Sequence, residues 1–188
     1  MMRLMENSPY EFILNANDKD LKPFISFRHR TFSGLDCIYF LKALQNLYLN
    51  HGGLEKALTS GDGDTKDKIT HFRKLFLELP FPKGLTRHIS NPADGSAAKR
   101  LNMFLRWMVR KDGRGVDFGI WDGINSNQLM CPLDVHSGRV ARKLGLLERK
   151  PDDWKAVEEL TGNLRMLDSA DPVKYDFALF GLGIFERF

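Results

Sequence analysis

The chain has 188 residues, a net charge of +4 and a composition (43% hydrophobic, 28% charged) ordinary for a soluble globular protein. Its length allows one domain, or two closely packed helical lobes, with a buried core. No apolar run approaches a membrane span, no signal-peptide pattern is present, and Cys37 and Cys131 are too few for a disulfide scaffold or a four-cysteine metal site, so a cytoplasmic protein is expected.

The pattern is helical almost throughout. Pro9 to Ala16 reads as a short helix with Ser8 as cap and Pro9 in the first turn. Leu21 to Phe32 is less periodic and carries a small basic cluster, Arg28, His29 and Arg30. A helix is predicted from about Gly34 to Leu49, with Leu35, Ile38, Tyr39, Leu41, Leu44, Leu47 and Tyr48 on a broad apolar face. His51, Gly52 and Gly53 end it, and a short helix to Leu58 follows. Gly61 to Asp64 is a turn without the ligand spacing of a calcium loop.

Thr65 to Leu79 reads as an amphipathic helix broken by Pro80, Pro82 and Gly84. Ile89 to Gly95 is a turn-rich approach to a helix from Ser96 to about Arg110, and a glycine- and aspartate-rich loop covers Lys111 to Cys131. A basic helix runs from Val135 to about Leu144. Two more, near Pro151 to Leu167 and Pro172 to Phe185, close the chain, with Asp171 as a cap. No repeat, low-complexity tract or linker interrupts this order. The expectation is one all-α domain over 1–188, with N-terminal helices in 9–94 and the candidate chemistry in 95–188.

Charge is unevenly spread. From Ala97 to Lys150 there are 11 Lys and Arg against 5 Asp and Glu, while the rest of the chain carries 17 against 19. A positive segment on a near-neutral body suits a polyanion, because each phosphate contact releases counterions. Solvated helix faces produce the same count.

Two segments in that half carry candidate chemistry. Gly95-Ser96-Ala97-Ala98-Lys99-Arg100 places Lys99 in the first turn of a helix, and Pro132-Leu133-Asp134-Val135-His136 places Asp134 at the head of another. The positive end of the helix macrodipole disfavours a charged amine at such a position, and partial burial would favour a free amine able to act as a nucleophile. A nearby aspartate would orient that amine and stabilise positive charge developing at the carbon it attacks. Backbone amides at Gly95 and Ser96 would hold a phosphate, with Arg100, His136, Arg139, Arg142 and Lys143 as further nucleic-acid contacts. Trp121 is a candidate stacking platform for an extruded base or, as isolated tryptophans usually are, a cover over the core. Asp134 also reads as an ordinary N-cap and Lys99 as a solvated lysine.

The segment from Pro132 to Leu146 resembles the Val-Asp-Thr-His-Val…Arg-Val…Arg-Leu-Gly-Leu stretch of helix-hairpin-helix DNA glycosylases of the endonuclease III type. Gly95, Lys99, Asn102 and Leu105 match the Gly-Val-Gly-Arg-Lys-Thr-Ala-Asn-Val-Val-Leu pattern of the bifunctional members, with Ala97 in place of the second glycine. The resemblance implies an all-α glycosylase fold in which Lys99 is the nucleophile and Asp134 the activating carboxylate. Loss of the base would leave a lysine Schiff base open to strand cleavage by elimination. Lys111 to Cys131 would then be an insertion.

The whole chain also resembles a family of uncharacterised, mainly bacterial conserved proteins, through Lys99 to Arg110, Pro132 to His136 and Asp171 to Gly183. Its members are longer at the N-terminus, which implies that helices completing the glycosylase lobe are missing here. The four clustered cysteines that often hold an iron-sulfur cluster in the endonuclease III type have no counterpart, and His29, His51, His71, His88 and His136 lack zinc-binding spacing. The expectation is therefore no metal and no cofactor, a monomer, and a DNA duplex with a damaged base or abasic site as partner. Two alternatives stay open: a noncatalytic nucleic-acid-binding module on the same scaffold, and a helical protein-interaction domain.

Overall fold

A computed structural model describes residues 1–186. Among them are nine α-helices and no strand, with short 3-10 turns between the helices and three isolated β-bridges. None of these helices is long and apolar enough to cross a membrane. The residues fall into two units. One comprises Met1–Gly61 with His71–Ile89, the other Asp62–Thr70 with the chain from Ser90 onward.

The first unit contains α1 (Pro9–Asn15), α2 (Asp18–Leu21), α3 (Gly34–Asn50) and α4 (Gly53–Thr59), together with the C-terminal part of α5 (Thr65–Phe76). α3 starts where Ser33 and Asp36 form a reciprocal cap: the Ser33 N–H donates to Asp36 Oδ2 at 2.8 Å and the Asp36 N–H to Ser33 Oγ at 3.3 Å. Gly34 follows because a Cβ there would lie 2.0 Å from the Ile25 carbonyl oxygen. Met5, Leu21, Phe24, Cys37 and Leu41 form the core of this unit, with Phe12, Phe27 and Phe32 packed against it. α5 stops at Phe76, three residues short of the predicted Leu79. Pro80 disfavours helical backbone at Leu79, and the Tyr39 hydroxyl donates to the carbonyls of Phe76 (2.9 Å) and Leu79 (3.2 Å) as the helix unwinds.

The second unit holds α6 (Lys99–Val109), α7 (Val135–Lys143), α8 (Trp154–Leu167) and α9 (Asp176–Phe185). Leu105, Leu129, Leu133, Val140, Trp154, Val157, Leu160 and Leu164 are buried there, and each such side chain stabilises the fold by about 1.5–3 kcal/mol relative to exposure. α7 and α9 approach closely at Gly183, where a Cβ would stand 3.0 Å from the His136 carbonyl oxygen. α8 is capped by Asp153, whose Oδ1 accepts from the Ala156 N–H at 3.1 Å.

Three helices begin later than the sequence predicts: α8 at Trp154, behind its Asp153 cap, rather than near Pro151, and two others for backbone reasons. α6 starts at Lys99 rather than Ser96 because Ala98 is left-handed (φ 45°), a conformation that no α-helix continues through. The segment predicted as a helix from Pro172 breaks in two: a 3-10 turn over Pro172–Tyr175 precedes α9.

Candidate active site

The first turn of α6 and the cap of α7 bring Lys99 and Asp134 together. Lys99 Nζ lies 3.5 Å from Asp134 Oδ2, with the two side chains 36% and 21% exposed. The geometry follows from how α7 is capped. Asp134 Oδ1 accepts from the N–H groups of His136 (2.9 Å) and Ser137 (3.0 Å), and the Asp134 N–H donates to Ser137 Oγ at 3.0 Å. One carboxylate oxygen is thus committed to the helix and the other faces the lysine. Burial opposes ionisation of Asp134, but the Ser137 N–H, the charge of Lys99 and the His136 N–H together hold its carboxyl below the usual carboxylate range.

Upstream, Lys99 is positioned by a tight turn. Gly95 is left-handed (φ 88°) with open space around it, so conformation rather than room selects glycine. The buried Asn102 donates from Nδ2 to the Ala97 carbonyl at 3.1 Å, tying the first turn of α6 back to that bend. The amides expected to hold phosphate are used inside it: the Gly95 N–H donates to Pro92 O at 2.9 Å and the Ser96 N–H to Asn91 O at 3.2 Å. That expectation is corrected accordingly, because a donor already paired has no second proton to offer.

A cavity of about 160 Å³ opens beside the pair. Met103, Trp107, Val116, Phe177 and Phe180 supply its apolar wall, and Lys99, Asp134, Arg106 and Asp176 its polar groups. Behind it runs a buried ion network. Arg106 donates from Nε and Nη2 to Asp117 Oδ1, both at 3.1 Å, and from Nη1 to Asp176, while its guanidinium stacks 4.0 Å from the centroid of the Phe177 ring. Arg110 joins Asp117 (2.7 Å), Asp112 (3.0 Å) and Asp171 (2.8 Å). Sequence reasoning passed over Arg106, Asp117 and Asp176. The available signal was local: one aspartate opening an otherwise apolar helix, and one arginine between the apolar Leu105 and Trp107.

The remaining candidates are differently placed. Arg100, His136, Arg139 and Lys143 are exposed. Arg139 donates to the Gly183 carbonyl at 2.6 Å, and His136 meets Phe180 edge-on at 6.1 Å between ring centroids. Arg142 is turned inward, donating to Arg149 O at 2.8 Å and Asp152 Oδ1 at 2.7 Å, which fastens the segment after α7. Trp121 is buried against the edge of Phe104 at 5.4 Å, so it offers no exposed ring for an extruded base to stack on. The basic count of this half thus overstates its surface charge: Arg106, Arg110, Arg142 and Arg149 are paired with carboxylates, and Arg100, Lys111, Arg114, Arg139, Lys143 and Lys150 are its exposed cations. Among the described residues no three His, Cys, Asp or Glu side chains are grouped to hold a metal ion.

Residues 1–185 match a protein family described as a protein of unknown function (DUF2400). The chain belongs to this family. It matches no curated protein and no solved structure. The DUF2400 match spans both units and includes every residue of the cavity, from Lys99 to Phe180.

Proposed function

We propose that this DUF2400 protein is a DNA glycosylase with abasic-site lyase activity, in which Lys99 is the nucleophile and Asp134 the activating carboxylate. The observation that carries the reading is the 3.5 Å approach of Lys99 Nζ to Asp134 Oδ2 beside a largely apolar cavity. A lysine amine and a carboxylate held that close supply the two parts needed at a sugar C1′: a nitrogen that forms the new bond, and a fixed negative charge that stabilises the cationic sugar as the base departs. The carboxylate does not have to find its position, because the α7 cap holds it there.

The cavity suits a flat ring. Its volume of about 160 Å³ is close to that of an engineered apolar cavity, about 150 Å³, known to hold benzene. A base turned out of a duplex would enter between Met103 and the Phe177 and Phe180 side chains, with any larger portion in the open mouth. The exposed cations Arg100, Arg139 and Lys143 lie on the helices that carry the pair and would meet the phosphate backbone.

Borohydride trapping on a duplex with an abasic site tests this directly. Wild type is expected to form a covalent adduct that disappears in Lys99→Ala and is strongly reduced in Asp134→Asn. An equal adduct in all three folded proteins would falsify the lyase mechanism. A second reading, a noncatalytic nucleic-acid-binding module, is supported by the complete capping role of Asp134, which needs no chemistry to explain it. It predicts salt-dependent duplex binding with no Lys99-dependent adduct.

A further inference from the structure

Asp176 is the carboxylate other than Asp134 among the four ionisable side chains that line the cavity, Lys99, Arg106, Asp134 and Asp176. It opens α9, is buried as a residue, and keeps 12% of its side-chain surface open. Its Oδ2 accepts from Arg106 Nη1. Arg106 cannot swing away, because Asp117 holds its other face through Nε and Nη2 and the Phe177 ring lies 4.0 Å from it. The carboxyl is therefore a fixed polar group in a wall otherwise made by Met103, Trp107, Val116, Phe177 and Phe180.

Resting on the glycosylase reading above, we propose that the carboxyl group of Asp176 donates the proton that the departing base must take up. The amine nitrogen of Lys99 bonds to C1′ as the C1′–N bond to the base breaks. The bonding pair leaves with the base, and the Asp176 O–H proton goes to a ring nitrogen or exocyclic oxygen of that base. The proton shed by the lysine nitrogen passes to water, and the Asp176 carboxylate is reprotonated from solvent. Charge and atoms balance without an oxidant or reductant. With Oδ2 held by Arg106, the proton is carried on Oδ1.

The surroundings suit this task. Burial pushes the Asp176 carboxyl upward, Arg106 opposes it, the charge of Asp134 at the head of α7 raises it, and Lys99 from α6 lowers it, leaving the group at about 6. Asp117 bears on it through the shared Arg106, and the buried Cys131 thiol lies within its field. A general acid works best when it titrates near the working pH. Asp134, held ionised, cannot fill that role.

Wild type and Asp176→Asn are compared in two assays. The first is borohydride trapping on an abasic duplex, which contains no base. The second is base release from duplexes each carrying a single 8-oxoguanine, hypoxanthine, uracil or 5-hydroxycytosine. Asparagine keeps an acceptor for Arg106 and lacks the acid. The expected result is an abasic adduct within about twofold of wild type but base release slowed by about a hundredfold or more. The ratio of wild-type to variant release should also fall with the protonated fraction of Asp176 above pH about 6, because the deprotonation of Lys99 enters both rates alike and cancels. The variant's abasic adduct shows that it is folded. Equal release by the two proteins, a ratio that does not change with pH, or a wild type that traps abasic sites yet releases none of the four bases overturns the proposal. Absence of any Lys99-dependent adduct would instead defeat the lyase reading on which it rests.

Discussion

Lys99 Nζ and Asp134 Oδ2 stand 3.5 Å apart because two helix starts face each other: Lys99 is the first residue of α6 and Asp134 the N-cap of α7. Asp134 thus serves two purposes with two oxygens, and substitutions separate them. Asp134→Ala removes the cap and should destabilise by about 1 kcal/mol, lowering Tm by about 2–4 °C in a chain this size. Asp134→Asn keeps a good capping residue and should melt within about 0.5 kcal/mol of wild type while losing most of the abasic-site adduct. Thermal melts alongside trapping distinguish the two; a large Tm loss in Asp134→Asn would mean that the charge, not the cap, carries the stability.

Ala98 precedes Lys99 in a left-handed conformation (φ 45°) with its side chain buried. An L-residue there costs about 1–2 kcal/mol, of which glycine recovers most before its own chain-entropy cost of about 0.5–1 kcal/mol. Ala98→Gly is therefore expected to hold or raise stability by up to about 1 kcal/mol, and Ala98→Val, branched at Cβ, to lower it by about 2 kcal/mol or more. Urea denaturation reads both, and an ordering of valine above glycine would contradict the strained backbone.

Arg106 neutralises buried Asp117 and Asp176 at once. Arg106→Met leaves two buried carboxylates short of their partner and should cost about 3–5 kcal/mol. Arg106→Lys is expected to rescue little, since an ammonium lacks the fork that reaches both aspartates. Chemical denaturation of the two variants should give similar losses; full rescue by lysine would reduce the network to a simple point-charge effect.

Asp176 predicts an unusual pH dependence of stability. Its carboxyl is raised from 3.8 to about 6 on folding, so between those values the folded protein binds the extra proton. Stability therefore falls as pH rises through that window, by on the order of 3 kcal/mol when complete, and the loss stays constant above it. Asp134, Asp36 and Asp112 shift downward and act in the opposite direction, strengthening the fold as they ionise. The difference in unfolding free energy between wild type and Asp176→Asn isolates the first effect. That difference should decline from pH about 4 to pH about 7, and a rising or level difference would show that Asp176 is ionised throughout.

The longer helices were legible in the sequence. The span of α3, the Asp134 cap of α7 and the break before Pro80 all depend on residues within about a turn of one another. The Ser33 and Asp153 caps and the short α2 behind Asn17 were not read, Ser8 makes no side-chain cap on α1, and Leu35 of the predicted stripe is exposed. Nor was the start of α6 legible, because alanine is the best helix former and nothing in Ser96-Ala97-Ala98 announces a left-handed residue. Trp121 could be read as platform or cover until its neighbour Phe104 was known. The basic surplus between Ala97 and Lys150 was a correct count that did not describe the surface, since Arg106, Arg110 and Arg142 point to carboxylates.

By itself the sequence determined that the described residues are helical, roughly where the longer helices run, and that a lysine and an aspartate each head a helix. Those properties follow from hydrogen bonds and periodicities that close within three or four residues. Only the tertiary structure decided that the two heads meet, that the Gly95 and Ser96 amides are spent within their turn, and that Asp176 enters the cavity wall behind Arg106. Such relationships join side chains from α6, α7, α9 and the loop after α6, and they arise when burial forces each charge to find a partner far away in the chain.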